Sequence, residues 1–525
     1  ATKGPAVFAP RAQADKWAYQ MEMKHRLEKC PLLDLKQGTI EDLIVERGRI
    51  QAFTTKEGIS YRCRAAVISS GTFLKGLLHI GETHYSGGRA GDQPSVGLSA
   101  SLSKHGMRLG RLKTGTPPRI HRQTIDYSLT EEQPSEPGVC FSFDPPEKPR
   151  LPQISCHITH TTEETKDLIL ANLHRSPMYS GKIVGVGPRY CPSIEDKVVR
   201  FKDKERHQLF LEPEGLQTEE VYVNGLSCSL PVDLQLPLIR SIPALRNAEI
   251  MRPAYAIEYD YVVSGQIACS LESHSIQGLF LAGQINGTSG YEEAAGQGLL
   301  AGINAANLVL GRPPLMLQRS EAYIGVMIDD LVTKTIEEPY RMFTSRAERR
   351  LLLPQHNADL RLREYGFAVG LISQEQKERL AEKKRCFSEE CVRLTKIFKQ
   401  LEGRGYNLGQ LLARPENSYR SLQELYPTDF PPLDEEVITL VEFQCKYAGY
   451  IEREAAEAEK ISLLEHTPIS RDFSYDAVPG LRNEARQKLQ KFLPGTLGTA
   501  ARISGVSPAD IAILMIALQR KRSYS

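Results

Sequence analysis

The chain has 525 residues, of which 25% are charged and 41% hydrophobic, and its formal net charge is +2. That length exceeds what one hydrophobic core can serve, so about two to four domains are expected. The even charge balance excludes a globally basic nucleic-acid binder and leaves any RNA contact to local patches. No run of about 18 apolar residues occurs, so no membrane span is read. The first residues, with Lys3, Arg11, Asp15 and Lys16 and no apolar stretch, show no visible signal peptide. The cysteines, 10 in all, include no CxxC pair and fit reduced cytosolic thiols.

Residues 11–29 read as an amphipathic helix ending before Pro31. Alternating residues 32–36 and 39–46, a turn at Arg47-Gly48, a return over 49–54, a turn at Glu57-Gly58 and residues 59–62 predict a β-meander. AAVISS at 65–70 is a buried strand closed by Gly71. Residues 76–130 are rich in Gly, Pro and Arg and read as functional loops. Pro-rich 134–152 is an exposed connection, 163–174 is helical, and 205–260 is mixed strand and loop. Beyond 315 the chain turns helical, over 319–335, 376–403, 434–464 and 482–492. The final ARISGVSPADIAILM has a helix-turn-helix look, and a small packing module is the preferred reading.

Residues 278–306 carry the strongest chemical signal. A short apolar strand, Leu279-Phe280-Leu281, ends at Gly283, glycines follow at 287 and 290, and a helix of small residues begins. This order aims free backbone N–H groups and a positive dipole end at an anion. Gln284, Asn286, Thr288, Ser289, Tyr291, Glu292 and Glu293 cluster at the strand's carboxyl end, where open α/β sheets bind ligands. A nucleotide-type cofactor is the expectation, against an ordinary tight strand–helix unit.

GVGPRYCPSIEDKVVRF at 185–201 places Cys191 between Arg189 and Lys197, with Pro192 suited to the first position of a helix. A helix N-terminus flanked by cations stabilises a thiolate, so a nucleophile and a simple cap residue both remain open. EEPYRMFTSRAERRLLLPQHNADLRLR at 337–363 holds Arg341, Arg346, Arg349, Arg350, Arg361 and Arg363 with Tyr340 and Phe343. Arginines with aromatics suit phosphates and unstacked bases, although such runs are also common on solvated faces. Cys156, His157 and His160 lie in a β-like run and read as structural, with no metal expected. No GxxxxGK[ST] occurs, so the chain is not expected to hydrolyse GTP or ATP.

Taken together, these motifs closely resemble the MnmG (GidA) family, FAD-dependent subunits of a tRNA wobble-uridine modification complex. The matching blocks run in order from KGPAVFAPRAQAD at 3–15, through SGGRAGDQPS at 86–95, GRLKTGTPPRI at 110–120, GPRYCPSIEDKVVRF at 187–201 and FLEPEG at 210–215. They continue with RPAYAIEYD at 252–260, AGQINGTSGYEEAAGQG at 282–298, EPYRMFTSRAE at 338–348 and ARISGVSPA at 501–509. The resemblance implies an α/β fold: a glutathione-reductase-like, Rossmann-type FAD-binding domain with an inserted mixed α/β domain and a helical C-terminal domain. The implied boundaries are 1–80 and 273–312 for the FAD domain, 81–272 for the insert, and 313–525 for the helical part.

The resemblance further implies that Ile40, Ser95 and Gln284 contact FAD, with Gly283, Asn286 and Gly287 in the same turn. Gly187, Pro188, Arg189, Tyr190, Cys191, Lys197 and Phe201 match a segment assigned to NAD(H), and Cys191 matches one of two functional cysteines. Arg341 and Arg350, with Arg346 between them, match tRNA-binding positions. Implied partners are the anticodon loop of tRNA around uridine 34, a second copy in a homodimer, and a GTPase of the MnmE type. The implied reaction adds a carboxymethylaminomethyl (or aminomethyl) group to C5 of uridine 34, with methylenetetrahydrofolate as one-carbon donor and NADH as reductant. The implied location is the cytoplasm, or the mitochondrion in a eukaryote. The resemblance starts downstream of the family's G-x-G-x-x-G turn for the ADP half of FAD. A polypeptide beginning at Ala1 is therefore expected to bind FAD weakly or not at all. The rival readings are a folate- and FAD-dependent tRNA uridine-5 methyltransferase and a non-catalytic tRNA- or GTPase-binding module.

Overall fold

The computed structural model describes residues 4–136, 140–144, 151–189, 192–401 and 403–523. The first long helix, Lys16–Lys29, is shorter than its expected 11–29 because Asp15 caps it, its carboxylate accepting from the Ala18 N–H at 2.9 Å. A three-stranded antiparallel meander follows, Ile40–Glu46, Arg49–Thr55 and Ser60–Arg62. Its first hairpin pairs Glu46 with Arg49 across the expected Arg47-Gly48 turn, with φ of 50° and 74° there.

The strand expected to be buried from AAVISS is Ala66–Ile68; it is only partly covered, with Val67 40% exposed, and it pairs in parallel with Leu279–Leu281. A parallel pair needs a long crossover, and here it encloses two further sheets. One has four strands in the order Thr83–Ser86, Leu77–Ile80, Tyr255–Val262 and Leu109–Thr116. The other has six, in the order Ile250–Arg252, Arg119–His121, Glu220–Asn224, Gln208–Pro213, Cys156–His160 and Glu131–Gln133. The region read as strand and loop also holds the helix Val232–Arg240, whose apolar Leu238 and Ile239 enter the core of the six-stranded unit.

The core around the parallel pair gathers Leu43, Ile50, Leu74, Leu279, Phe280, Leu281 and Leu300. It also takes Met327, Ile328, Leu331 and Val332 from the helix Tyr323–Thr333, and Tyr340 beyond it. Further on, Gln374–Lys396 and Glu435–Glu465 share one core, containing Leu394, Leu411, Tyr419 and Val441. The helix expected to reach 403 stops at Lys396, and a hairpin of Phe398–Leu401 with Arg404–Asn407 takes over. Its turn includes Gly403 at φ 75°. The last unit buries Leu489, Leu497, Ala500, Ile503 and Leu514, so the helix-turn-helix-like segment is packed as core. Among the described residues no helix is long and apolar enough to cross a membrane.

Candidate functional site

Ala282 donates its N–H to the Ile68 carbonyl at 2.9 Å, so both parallel strands end side by side. Their continuations are the Ser70-Gly71 corner and the glycine turn 283–290. Ser70 Oγ and Asn286 Oδ1 are buried there without a hydrogen-bond partner. Ser95 lies alongside, bridged to Leu74, and its Oγ donates to the Ile40 carbonyl at 2.7 Å. Gln284 is half-buried, donating from Nε2 to the Tyr259 hydroxyl at 3.4 Å, with its Oε1 facing Gly71. Ile40, Ser95 and Gln284, far apart in sequence, thus gather around one corner.

Gln297 holds the turn from beneath. Its Oε1 accepts from the Gly283 N–H at 3.0 Å and from Asn286 Nδ2 at 2.9 Å, and its Nε2 donates to Thr288 Oγ1 at 3.0 Å. Asn286 Nδ2 also donates to the Leu281 carbonyl at 2.8 Å, so this side chain points into the protein. Gly287 adopts φ 80° and Gly290 φ 139°, and the helix Tyr291–Val309 starts immediately after. Its first N–H groups carry no side-chain cap, the arrangement that suits an anionic ligand.

The arginine stretch is pinned to that turn. The Tyr340 N–H donates to the Gly287 carbonyl at 2.8 Å, and the Ser289 N–H to the Tyr340 carbonyl at 2.9 Å. Of the six arginines, Arg346 is engaged within the segment: Nε donates to the Arg341 carbonyl at 2.9 Å and its guanidinium lies 4.3 Å over the Tyr340 ring. Arg361 bonds to Asn357 Oδ1 at 2.8 Å, and Arg363 pairs with Asp144 at 2.6 Å. Arg349 is largely buried, while Arg350 is exposed and Arg341 partly so. The cluster is therefore mostly internal, with two arginines facing outward.

The third stretch meets the arginine stretch through Arg189, whose Nε lies 3.1 Å from Glu338 Oε2. A buried pair on the four-stranded sheet supports its approach. Glu258 Oε1 accepts from the N–H groups of Val184 and Gly185 at 3.0 and 2.6 Å, and Oε2 lies 2.8 Å from His79 Nε2. Burial alone would push the Glu258 carboxyl up; the His79 and Gly185 hydrogen bonds outweigh it and hold the group below its ordinary value. Gly187 and Pro188 follow, with Gly187 against the Lys113 side chain.

The helix after them starts later than expected, at Ile194, because Ser193 caps it by accepting from the Asp196 N–H. Lys197 turns to the Gly225 carbonyl at 3.0 Å, and Phe201, 48% exposed, lies at the far end of that helix. Tyr190 and Cys191 lie outside the described residues. Sequence reasoning missed Glu258, His79 and Lys113. The usable signal was a pair of acids, Glu258 and Asp260, inside an otherwise apolar strand. In the Cys156–His160 strand, His157 Nδ1 is 2.9 Å from Thr130 Oγ1, which fits a structural part.

Two parallel strands, one running into a glycine turn with an uncapped helix start beside it, a mixed insert and a helical C-terminal region define an α/β protein of the cofactor-domain class. Family models agree. Glucose inhibited division protein A matches residues 1–313, and the MnmG/GidA tRNA modifying enzyme C-terminal helical domain and helical bundle match 373–455 and 457–525. The chain belongs to the MnmG/GidA family. It is 69% identical over 520 residues to the tRNA uridine 5-carboxymethylaminomethyl modification enzyme MnmG of Protochlamydia amoebophila (strain UWE25), covering 99% of this chain and 83% of that protein. With the enzyme of the same name from Chlamydia felis (strain Fe/C-56), identity is 54%, over 99% and 85%. Aquifex aeolicus GidA superimposes with a TM-score of 0.92 at 46% identity, covering 98% of this chain and 86% of that one. Its second crystal form gives 0.91 at 45%.

Proposed function

We propose that the chain is a tRNA uridine-5 carboxymethylaminomethyl modification enzyme acting on wobble uridine 34. FAD is its cofactor, NADH the reductant and methylenetetrahydrofolate the one-carbon donor. In this reading it works in the cytoplasm as a homodimer with a GTPase partner. The observation that carries the proposal is the hydrogen-bonded pairing of the glycine turn with the arginine segment at Gly287 and Tyr340. It supports this reading because chemistry on an unstacked base calls for nucleic-acid contacts close to the cofactor.

The residues present fit a flavin. A buried polar atom on Ser70 lacks a partner, and an uncapped helix start with glycines allows close backbone approach. Gln284, Ser95 and the N–H groups after Gly290 would hold it, and when bound it supplies hydride transfer to or from the one-carbon unit. Arg341 and Arg350 take backbone phosphates, whereas Arg346 keeps the segment in shape. Glu258 steadies the chain leading to Arg189, which ties it to Glu338. Cys191 is proposed as a nucleophile toward C6 of uracil, from its flanking Arg189 and Lys197 and from the family resemblance.

The test is the salt dependence of anticodon stem-loop binding. Arg341→Ala or Arg350→Ala should each weaken binding and reduce the slope of log affinity against log salt by about 1. Unaltered affinity and slope would return both arginines to an ordinary solvated face.

A further inference from the structure

We infer that Glu293 is a positioning residue for Arg341: a buried carboxylate that strengthens binding to a polyanion by presenting the arginine beside the glycine turn. This rests on the reading that Arg341 meets RNA phosphate. Glu293 stands in the first turn of the helix Tyr291–Val309 and is only 4% exposed. Its Oε1 accepts from the Met342 N–H at 2.9 Å, and Arg341 Nε lies 3.6 Å from the same oxygen. Oε2 is buried with no hydrogen-bond partner.

Gly290 explains how the two groups reach each other. A Cβ at that position would stand 1.9 Å from Glu293 Oε2 and 2.9 Å from Arg341 Nη1. The carboxylate and the guanidinium therefore occupy the space that any side chain at 290 would need. Glu292 adds a weaker hold, its Oε2 being 3.9 Å from Arg341 Nη2. The pair fixes both neighbours of one peptide unit: Arg341 through its side chain and Met342 through its N–H. An arginine side chain loses considerable rotamer freedom when it clamps a phosphate. Holding Nε in advance removes part of that loss.

The sign of the effect separates this from a bystander acid. A carboxylate near an RNA-binding arginine repels phosphate, so neutralising a bystander should tighten binding. A positioning carboxylate gives the reverse. The experiment measures affinity for an anticodon stem-loop with uridine at position 34, using the full chain, Glu293→Gln, Arg341→Ala and the double variant. We expect Glu293→Gln to weaken binding roughly fivefold to tenfold and to have no such effect once Arg341 is alanine. Glu293→Asp keeps the charge but withdraws the oxygens from Met342 and should also weaken binding, which covers the case of a glutamine variant that does not fold. Tighter or unchanged binding in Glu293→Gln, or unchanged binding in Glu293→Asp, overturns the inference. A further outcome, unchanged binding in Arg341→Ala itself, overturns the reading of Arg341 beneath it and the inference with it.

Discussion

The Tyr340 N–H donates to the Gly287 carbonyl at 2.8 Å, and this bond joins two stretches that carry different chemistry. Gly287, at φ 80°, sits in the turn that ends a parallel strand pair. Tyr340 precedes Arg341, the partly exposed member of the arginine cluster nearest that turn. Ser289 returns the bond to the Tyr340 carbonyl at 2.9 Å, so the contact is a short piece of sheet. A cofactor in the turn and a nucleic acid on the arginines would share one rigid backbone junction.

The clamp on residues 184–185 gives a first prediction. Glu258 satisfies two backbone N–H groups and His79 in a buried setting. Glu258→Ala leaves those donors without an acceptor and should cost about 3 kcal/mol, while Glu258→Gln, which keeps one acceptor, should cost less. Released from the clamp, the chain should be cut faster by trypsin after Arg189. Urea midpoints and digestion rates check both parts; an alanine variant matching the parent in both contradicts the clamp.

Acid should weaken the fold from an early point. Burial, with Arg471 nearby, pushes His274 down to about 4; burial, with Lys383 nearby, does the same to His356. An unfolded chain takes up these protons near pH 6.5, as ordinary histidines do, whereas the folded chain waits until about 4. Stability should therefore fall as pH drops through that window. Burial would raise the Glu348 carboxyl, but its bonds to Arg319 win and take it down to about 2. Its contribution is present above about 4.5, the ordinary carboxyl value, and is lost as pH falls toward 2. Urea midpoints across the range should show the decline, and His356→Phe should flatten it. A midpoint independent of pH between about 7 and 5 would contradict the assignment.

Arg502 fastens the last helical unit to the core around the parallel strand pair. Its guanidinium lies 2.6 Å from Asp329 on the helix Tyr323–Thr333 and also pairs with Glu465. Arg502→Met leaves buried acids short of a partner and should cost about 3 kcal/mol. The loss should be local. Hydrogen exchange should accelerate in the helix Asn483–Phe492 and stay slow in the strand Leu279–Leu281. Equal acceleration in both would contradict a local fastening.

Much of this was legible because its signals are contiguous. The glycine turn, the small-residue helix and the arginine run each lie within one stretch, so periodicity and residue type identify them. Their convergence was not legible, since nothing near Gly287 announces Tyr340. The arginines illustrate the same limit: Asp144, the acid that engages Arg363, sits 219 residues away in sequence. Helix ends moved wherever a cap residue outranked the apolar pattern, as Asp15 and Ser193 did. Glu258 and His79 escaped notice because a buried acid–histidine pair from two strands leaves no local periodic trace.

The most direct test places a photoreactive uridine at position 34 of a tRNA anticodon stem-loop, irradiates the complex and maps the cross-linked peptide. The account predicts cross-links within residues 284–293 or 338–346, lost in Arg341→Ala. Cross-links confined to the six-stranded sheet or to the C-terminal helices would contradict it.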